Sequence, residues 1–347
     1  MTPAVARSTG ALRMRALAAS LPTQLADGFR AGLDIAAPAT DRPSNLYAVG
    51  MGGSAIAADL VRSVVEGETP LTVHLVRSPT LPRALERRGR VVLVSYSGDT
   101  WETVRAYESA GRAGAARVVI TSGGTLAERA ESDGVALLLL PSGLPPRSAV
   151  GQILGGILGL LDPWFPESNE GRVGRIAGRL RRTIATYAAA RGPAARIAAQ
   201  IGKRRPLVYA EAAFAAVARR WATQIEENAK ILSGFDAAPE LFHNAIVGWD
   251  ALSRSEAARY AVALIEWSEE LATTRRAFRY FERLLKARGV SVAPVELAAE
   301  DRLEATLSGV ALGDHVSLFL ADRARVDPMP VDAIGRLRAE LAGRPAR

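Results

Sequence analysis

Short apolar runs alternate with stretches of helical period through most of the chain. Leu17, Leu21, Leu25, Phe29 and Leu33 stand at helical spacing within 12–36 and predict one or two helices there. After a proline-bounded loop at 38–43, the pattern predicts a strand over 45–49, a helix over 54–66 and strands over 72–76 and 91–94. A helix over 100–113, a strand over 117–120, a helix over 125–132 and a strand over 135–140 follow. Buried-type apolar runs separated by helical patterns predict a parallel sheet covered on both faces. A helix over 148–161 and a break at 162–168 come next. An arginine-rich helical stretch over 171–191 then reads as a bridge between two domains. The alternation resumes with a strand over 206–210, a long helix over 214–232 and a polar loop. A strand over 260–265, a helix over 274–288, a strand over 290–295, a helix over 303–324 and a terminal helix over 331–341 complete the chain.

This order divides the chain into an N-terminal helical segment (1–44), a first α/β domain (45–165), a helical linker (166–200) and a second α/β domain (201–347). The length, 347 residues, suits two domains. There is no cysteine, which excludes disulfides, thiolate metal sites and a cysteine nucleophile. The net charge of +8 comes from arginine, because Lys203, Lys230 and Lys286 are the only lysines. The arginines are dispersed, with no aromatic-studded basic stripe, so no nucleic-acid partner is expected; the positive field suits an anionic substrate. The apolar stretch 153–161 is too short and glycine-broken to span a bilayer, and no signal-peptide core is seen. A cytoplasmic protein with no membrane partner is the expectation.

Two turns stand out. Gly50 to Ala58 follows the first predicted strand, and Ser95 to Thr103 follows the third. A glycine- or hydroxyl-rich turn that opens a helix offers free N–H groups and a favourable dipole to a phosphate. Ser54, Ser95, Ser97 and Thr100 add hydroxyls, and turns from neighbouring parallel strands meet at the carboxyl edge of a sheet. Gly50, Gly52 and Ala55 fit a loose G-x-G-x-x-A pattern. The acidic residue of a dinucleotide site is missing, since Val76 leads to Arg77 and Ser78, and no P-loop occurs.

The segment 224–249 breaks helical periodicity and gathers Glu226, Glu227, Asn228 and Lys230, then Glu240, His243 and Asn244. A carboxylate and a histidine facing one pocket move protons on a sugar without a metal. His74, His243 and His315 show no metal-ligand spacing, and no G-x-S-x-G elbow occurs, so neither a metal nor a cofactor is expected. Arg147, in a loop before a helix start, is a candidate guanidinium for an oxyanion.

Seven segments together resemble the bifunctional phosphoglucose/phosphomannose isomerases of the sugar isomerase (SIS) superfamily. They are GMGGSAIAAD at 50–59, SYSGDTWET at 95–103, TSGGTLAERA at 121–130, PSGLPPRSAVG at 141–151, RWATQIEENAK at 220–230, PELFHNAIVGW at 239–249 and DPMPVDAIGRL at 327–337. The resemblance implies two SIS domains, each a five-stranded, doubly wound, flavodoxin-like parallel sheet flanked by helices, in a homodimer. It implies a metal-independent aldose–ketose isomerase of carbohydrate metabolism, interconverting glucose 6-phosphate or mannose 6-phosphate with fructose 6-phosphate through an enediolate. Ser54, Ser95, Ser97 and Thr100, with Gly53 in the same turn, would hold the phosphate. Arg147 would stabilise the charged intermediate, Glu227 would carry the proton between C1 and C2, and His243, given across the dimer interface, would assist ring opening. The family commonly has an acidic residue where Ala245 stands, and a C-terminal lysine that reaches the site. Arg336 and Arg338 occupy that neighbourhood here and are the candidate C-terminal contacts. The alternative is a non-catalytic sugar-phosphate-binding SIS regulatory protein, which would need the hydroxyl turns but neither Glu227 nor His243.

Overall fold

The computed structural model describes residues 9–36, 43–82, 85, 89–267 and 271–341. The N-terminal stretch 1–8 and most of the 38–43 loop lie outside them.

Two parallel sheets carry the chain. The first contains β1 (Asn45–Gly50), β2 (Thr72–Val76), β3 (Arg90–Val94), β4 (Ala116–Thr121) and β5 (Ala136–Leu139), in the order β2-β1-β3-β4-β5. The second contains β6 (Arg205–Glu211), β7 (Gly234–Ala238), β8 (Tyr260–Trp267) and β9 (Ser291–Leu297), in the order β7-β6-β8-β9. Every ladder among the described residues is parallel. In both sheets the first strand lies inside and the chain runs to one edge before reversing. The reversal falls between β1 and β3, and between β6 and β8, which is where open α/β sheets bind ligands.

Alternate residues of a strand face opposite sides of a sheet. In the first sheet Leu46, Ala48, Val92, Val94, Val118 and Ile120 face one way, and Tyr47, Val49, Val91, Leu93 and Val119 the other. The second set is covered by the helices Trp101–Arg112 and Gly124–Ser132, through Ala106, Tyr107, Ala110, Leu126 and Ala130. The first set joins a core that also includes Val208, Ala210, Ala261, Ala263 and Ile265 of the second sheet. The two units therefore share one helical middle layer. At its centre runs the helix Arg302–Ala324, buried on nearly every side, with Thr306, Ser308, Asp314, His315 and Ser317 buried among its apolar and small residues. Trp221 packs closely on it: its indole N–H donates to Gly309 O at 2.7 Å, and a Cβ on Gly313 would come within 2.1 Å of Trp221 Cδ1. Glycine at 313 is what lets the helix Ala215–Gln224 approach this closely.

The strand–helix alternation appears in both α/β units, with differences in the second, where the resemblance implies five strands and the pattern three. The second sheet has four strands among the described residues, not five, because β9 leads directly into the long central helix. β7 replaces part of the predicted polar loop; its sequence, GFDAA, lacks the β-branched run that marks a strand, and pairing to β6 makes it one. The helix predicted over 214–232 ends at Gln224 and gives way to a single π-helical turn, Ile225–Ala229. The segment 166–200 holds two helices. Glu170–Ala188 packs on Leu21–Asp34 and on the central helix, and Pro193–Ile201 packs on β8 and β9. No helix among the described residues is long and apolar enough to cross a membrane.

Candidate active site

The turn after β1 starts the helix Gly52–Glu68, and the turn after β3 starts Trp101–Arg112. Neither helix has a side-chain cap: Met51 occupies one N-cap, and Thr100 at the other leaves the first N–H groups to themselves. Both N-termini remain able to receive an anion. The turns are stitched together. Tyr96 N–H donates to Ser54 Oγ at 3.2 Å, and Ser95 Oγ donates to Thr100 Oγ1 at 2.8 Å. Ser97 Oγ accepts from Asp99 N–H at 3.3 Å. Ser54 and Ser95 are buried, while Ser97 and Thr100 are half-buried.

The segment 121–130 supports this turn from behind. Ser122 Oγ donates to Tyr96 O at 2.6 Å, Asp99 Oδ1 accepts from both the N–H and the hydroxyl of Thr125, and Leu126 N–H donates to Gly98 O. Gly98 has φ +75°, and a Cβ there would collide with Gly123 O. Tyr96 then ties the turn to the next loop, donating its hydroxyl to Pro141 O and accepting from Leu144 N–H.

That loop leads through Pro145 and Pro146 into a 3₁₀ turn, Pro146–Ala149, which carries Arg147. The Gly53 backbone lies against it, so that a Cβ at Gly53 would stand 3.0 Å from Arg147 Cα. The arginine is buried, with 2 % of its side chain exposed. Nε donates to Asn228 Oδ1 at 3.0 Å, and one terminal nitrogen, Nη2, donates to Pro328 O at 2.7 Å and Met329 O at 3.1 Å. The other, Nη1, faces Glu227 Oε2 at 3.5 Å. The guanidinium is thus held in place by neutral oxygens and turns one edge toward a carboxylate.

Glu227 and Asn228 come from the π-helical turn, a local widening of the helix that often re-aims side chains at functional sites. Lys230 ends it in the left-handed region, φ 59°, which costs a non-glycine residue about 1 kcal/mol. Its ammonium holds that conformation by donating to Glu227 O and Pro330 O. Glu227 is about three-quarters buried, with 26 % of its side chain exposed. Burial pushes its carboxyl above the usual carboxylate range, while Arg147, Arg220 and Lys230 pull the other way and Glu226 adds to the rise. Glu226 points outward and accepts from Ser233 N–H.

A family model described as the bacterial phospho-glucose isomerase C-terminal SIS domain matches residues 190–341. The chain is 30% identical over 331 residues to a bifunctional phosphoglucose/phosphomannose isomerase from Caldicellulosiruptor bescii, covering 93% of this chain and 97% of that one. The chain belongs to the bifunctional phosphoglucose/phosphomannose isomerase family. A protein of the same name from Aquifex aeolicus is 32% identical over 296 residues, covering 84% of this chain and 88% of that one. The C-terminal domain of glucosamine-fructose-6-phosphate aminotransferase from Francisella tularensis superposes with a TM-score of 0.73 at 12% identity, over 93% of this chain and 98% of that one. At that identity the likeness concerns the SIS fold alone.

The remaining sequence candidates of this isomerase lie elsewhere in the chain. His243 follows a short 3₁₀ turn, Glu240–Phe242, and is exposed; its ring makes no hydrogen bond or ion pair among the described residues. Arg336 and Arg338 lie on the helix Asp332–Leu341, which buries no residue, and both are exposed. The C-terminal segment reaches Arg147 and Lys230 instead through the carbonyls of Pro328, Met329 and Pro330. Sequence reasoning missed Arg220 and Asp314. Nε and Nη2 of Arg220 donate to Asp314 Oδ1 and Oδ2 at 3.0 and 2.7 Å, and Nη2 also donates to Arg147 O at 3.1 Å. The signal available was an arginine directly preceding a core tryptophan, Trp221, on a helix.

Proposed function

We propose that this isomerase interconverts glucose 6-phosphate and mannose 6-phosphate with fructose 6-phosphate through one enediolate. The observation that carries the reading is the largely buried Glu227 carboxylate, facing the one edge of Arg147 that has no carbonyl partner among the described residues. The sugar phosphate is held at the uncapped helix starts by Ser54, Ser95, Ser97 and Thr100, with Gly53 allowing close approach. Glu227 takes the proton from C2 of the open-chain aldose. The electron pair forms the C1–C2 double bond of an enediolate, and the charge on oxygen falls to Arg147 Nη1. Glu227 returns the proton to C1 while the hydroxyl proton moves from O2 to O1, giving the ketose. A carboxyl raised by burial suits this exchange, because a base works best with a pKa near the operating pH. Glucose and mannose phosphates differ only at C2 and pass through the same enediolate.

The active form in this reading is a homodimer in which His243 of a second copy completes the site for ring opening. Its support is the exposure of His243 and its lack of any side-chain partner among the described residues. A hexose phosphate is ionised and does not cross a bilayer unaided, so the reaction belongs to the cytoplasm. A purely regulatory sugar-phosphate protein would use the hydroxyl turns but has no need of an inward carboxylate set against a guanidinium.

The test is to incubate the purified protein with fructose 6-phosphate and follow products by NMR. Both glucose and mannose 6-phosphates are expected. Binding without either product would overturn the isomerase reading, and one aldose alone would limit the range.

A further inference from the structure

The buried ion pair behind the site is not needed to fill space. Removing two charges from water carries a penalty that apolar packing of the same volume avoids, so stability alone gives no reason for it. Its geometry does. Asp314 lies on the central helix beside Gly313, and its two oxygens take the Arg220 guanidinium fork to fork. The same Arg220 Nη2 reaches the backbone carbonyl of Arg147. Three residues further along the central helix, Ser317 Oγ donates to Asp314 O at 2.6 Å and accepts from Asn228 Nδ2 at 2.9 Å. Asn228, also tied to Gln224, presents its Oδ1 to Arg147 Nε. One face of one helix therefore grips both ends of Arg147: the backbone through Arg220, the guanidinium through Asn228. Gly53 closes the third side against the Arg147 backbone.

We propose that Arg220, clamped by Asp314, is a positioning residue for Arg147: by holding the Arg147 carbonyl it keeps the guanidinium edge on Glu227 in the reacting geometry. The inference rests on the isomerase reading above for its kinetic consequence, but its structural content stands apart from that reading. Lysine at 220 keeps the charge and loses the planar fork that serves two carboxylate oxygens and a carbonyl at once.

The experiment compares wild type with Arg220→Lys, using the guanidinium Nε–H resonance of Arg147 as a readout independent of activity. In the folded variant, exchange of that proton is expected to speed up by about ten-fold or more. With the arginine displaced by about 1 Å, kcat should fall about a hundred-fold while KM for fructose 6-phosphate stays within about three-fold. The acid limb of kcat/KM should move to higher pH, because Arg147 moves away from Glu227. The other charges facing that carboxylate, Lys230, Glu226 and the cation at 220, are retained. A purely structural role would lower thermal stability without this kcat-against-KM split and without the pH shift. Should Arg220→Lys fail to fold, the isosteric Asp314→Asn variant is expected to give the same pattern. Unchanged Arg147 exchange and unchanged kcat in a folded variant would overturn the proposal. A wild type without isomerase activity would overturn the proposed function, and the Nε–H exchange would still decide the positioning role.

Discussion

Arg147 Nη1 stands 3.5 Å from Glu227 Oε2, with the rest of the guanidinium bonded to Asn228 and to the carbonyls of Pro328 and Met329. The two residues are 80 positions apart in sequence and come from different α/β units. Their meeting is what the shared helical layer accomplishes. The charge of Arg147 opposes the rise in the Glu227 pKa caused by burial, and burial outweighs it.

The raised carboxyl has a consequence for stability as well as rate. Its folded pKa lies above its unfolded one, so its contribution to stability is present below the unfolded pKa and is lost as pH rises through the folded pKa. Glu227→Gln mimics the protonated form. The variant is expected to melt higher than wild type at neutral pH and to lose that advantage as pH falls toward about 4, the ordinary carboxylate pKa. Thermal melts across pH check it; an advantage that grows on acidification contradicts the sign.

Ser97 lies at the mouth of the second turn, half-buried, with its hydroxyl engaged only by Asp99 N–H among the described residues. Ser97→Ala should raise KM for fructose 6-phosphate about ten-fold, the size of one hydrogen bond to a charged group, with kcat changed less. Steady-state kinetics decide the matter, and an unaltered KM removes Ser97 from the phosphate site.

Gly53 touches Arg147 backbone to backbone, and a methyl group there meets Arg147 Cα at 3.0 Å and N at 3.2 Å. Neither partner is a flexible side-chain end. Gly53→Ala is expected to lower kcat about ten- to a hundred-fold by displacing Arg147. A kcat within two-fold of wild type would show that the turn absorbs the methyl group.

The exposed His243 offers a test of the shared site. If it acts on the partner's substrate, mixing Glu227→Gln and His243→Ala copies generates one intact site in each mixed dimer. Random exchange of two inactive variants then restores about a quarter of wild-type activity. Activity that stays at the level of the separate variants places His243 outside the site or within its own protomer's.

Much of this arrangement was legible along the chain. Valine-rich β3 and the runs of β1 and β4 carry an unmistakable buried-strand pattern, and the glycine and hydroxyl turns after β1 and β3 have their own composition. β7 was not legible, because GFDAA becomes a strand only by pairing along β6. The π-helical turn that aims Glu227 was missed for a related reason: its Asn228 is bonded to Ser317 and Gln224, contacts that local propensity does not reveal. Arg220 and Asp314 look like ordinary helix-face charges in a chain rich in arginine. Arg220 adjoins Trp221 and Asp314 adjoins Gly313, and the close approach of Trp221 to Gly313 accompanies the pairing of the two charges. The resemblance suggested Arg336 and Arg338 as C-terminal contacts. Between Asp327 and that helix the chain presents backbone carbonyls to the site, a role that no residue type announces.

The central claim is that Glu227 carries a proton between C1 and C2. The most direct measurement follows deuterium entering fructose 6-phosphate in heavy water, by NMR, with wild type and with Glu227→Gln. Wild type should place deuterium at C1 of the ketose and C2 of the aldoses as they form. Glu227→Gln, still folded and still binding the sugar phosphate, should slow label entry by about a hundred- to ten-thousand-fold. Label entering at the wild-type rate in the Gln variant would contradict the account and place the base elsewhere.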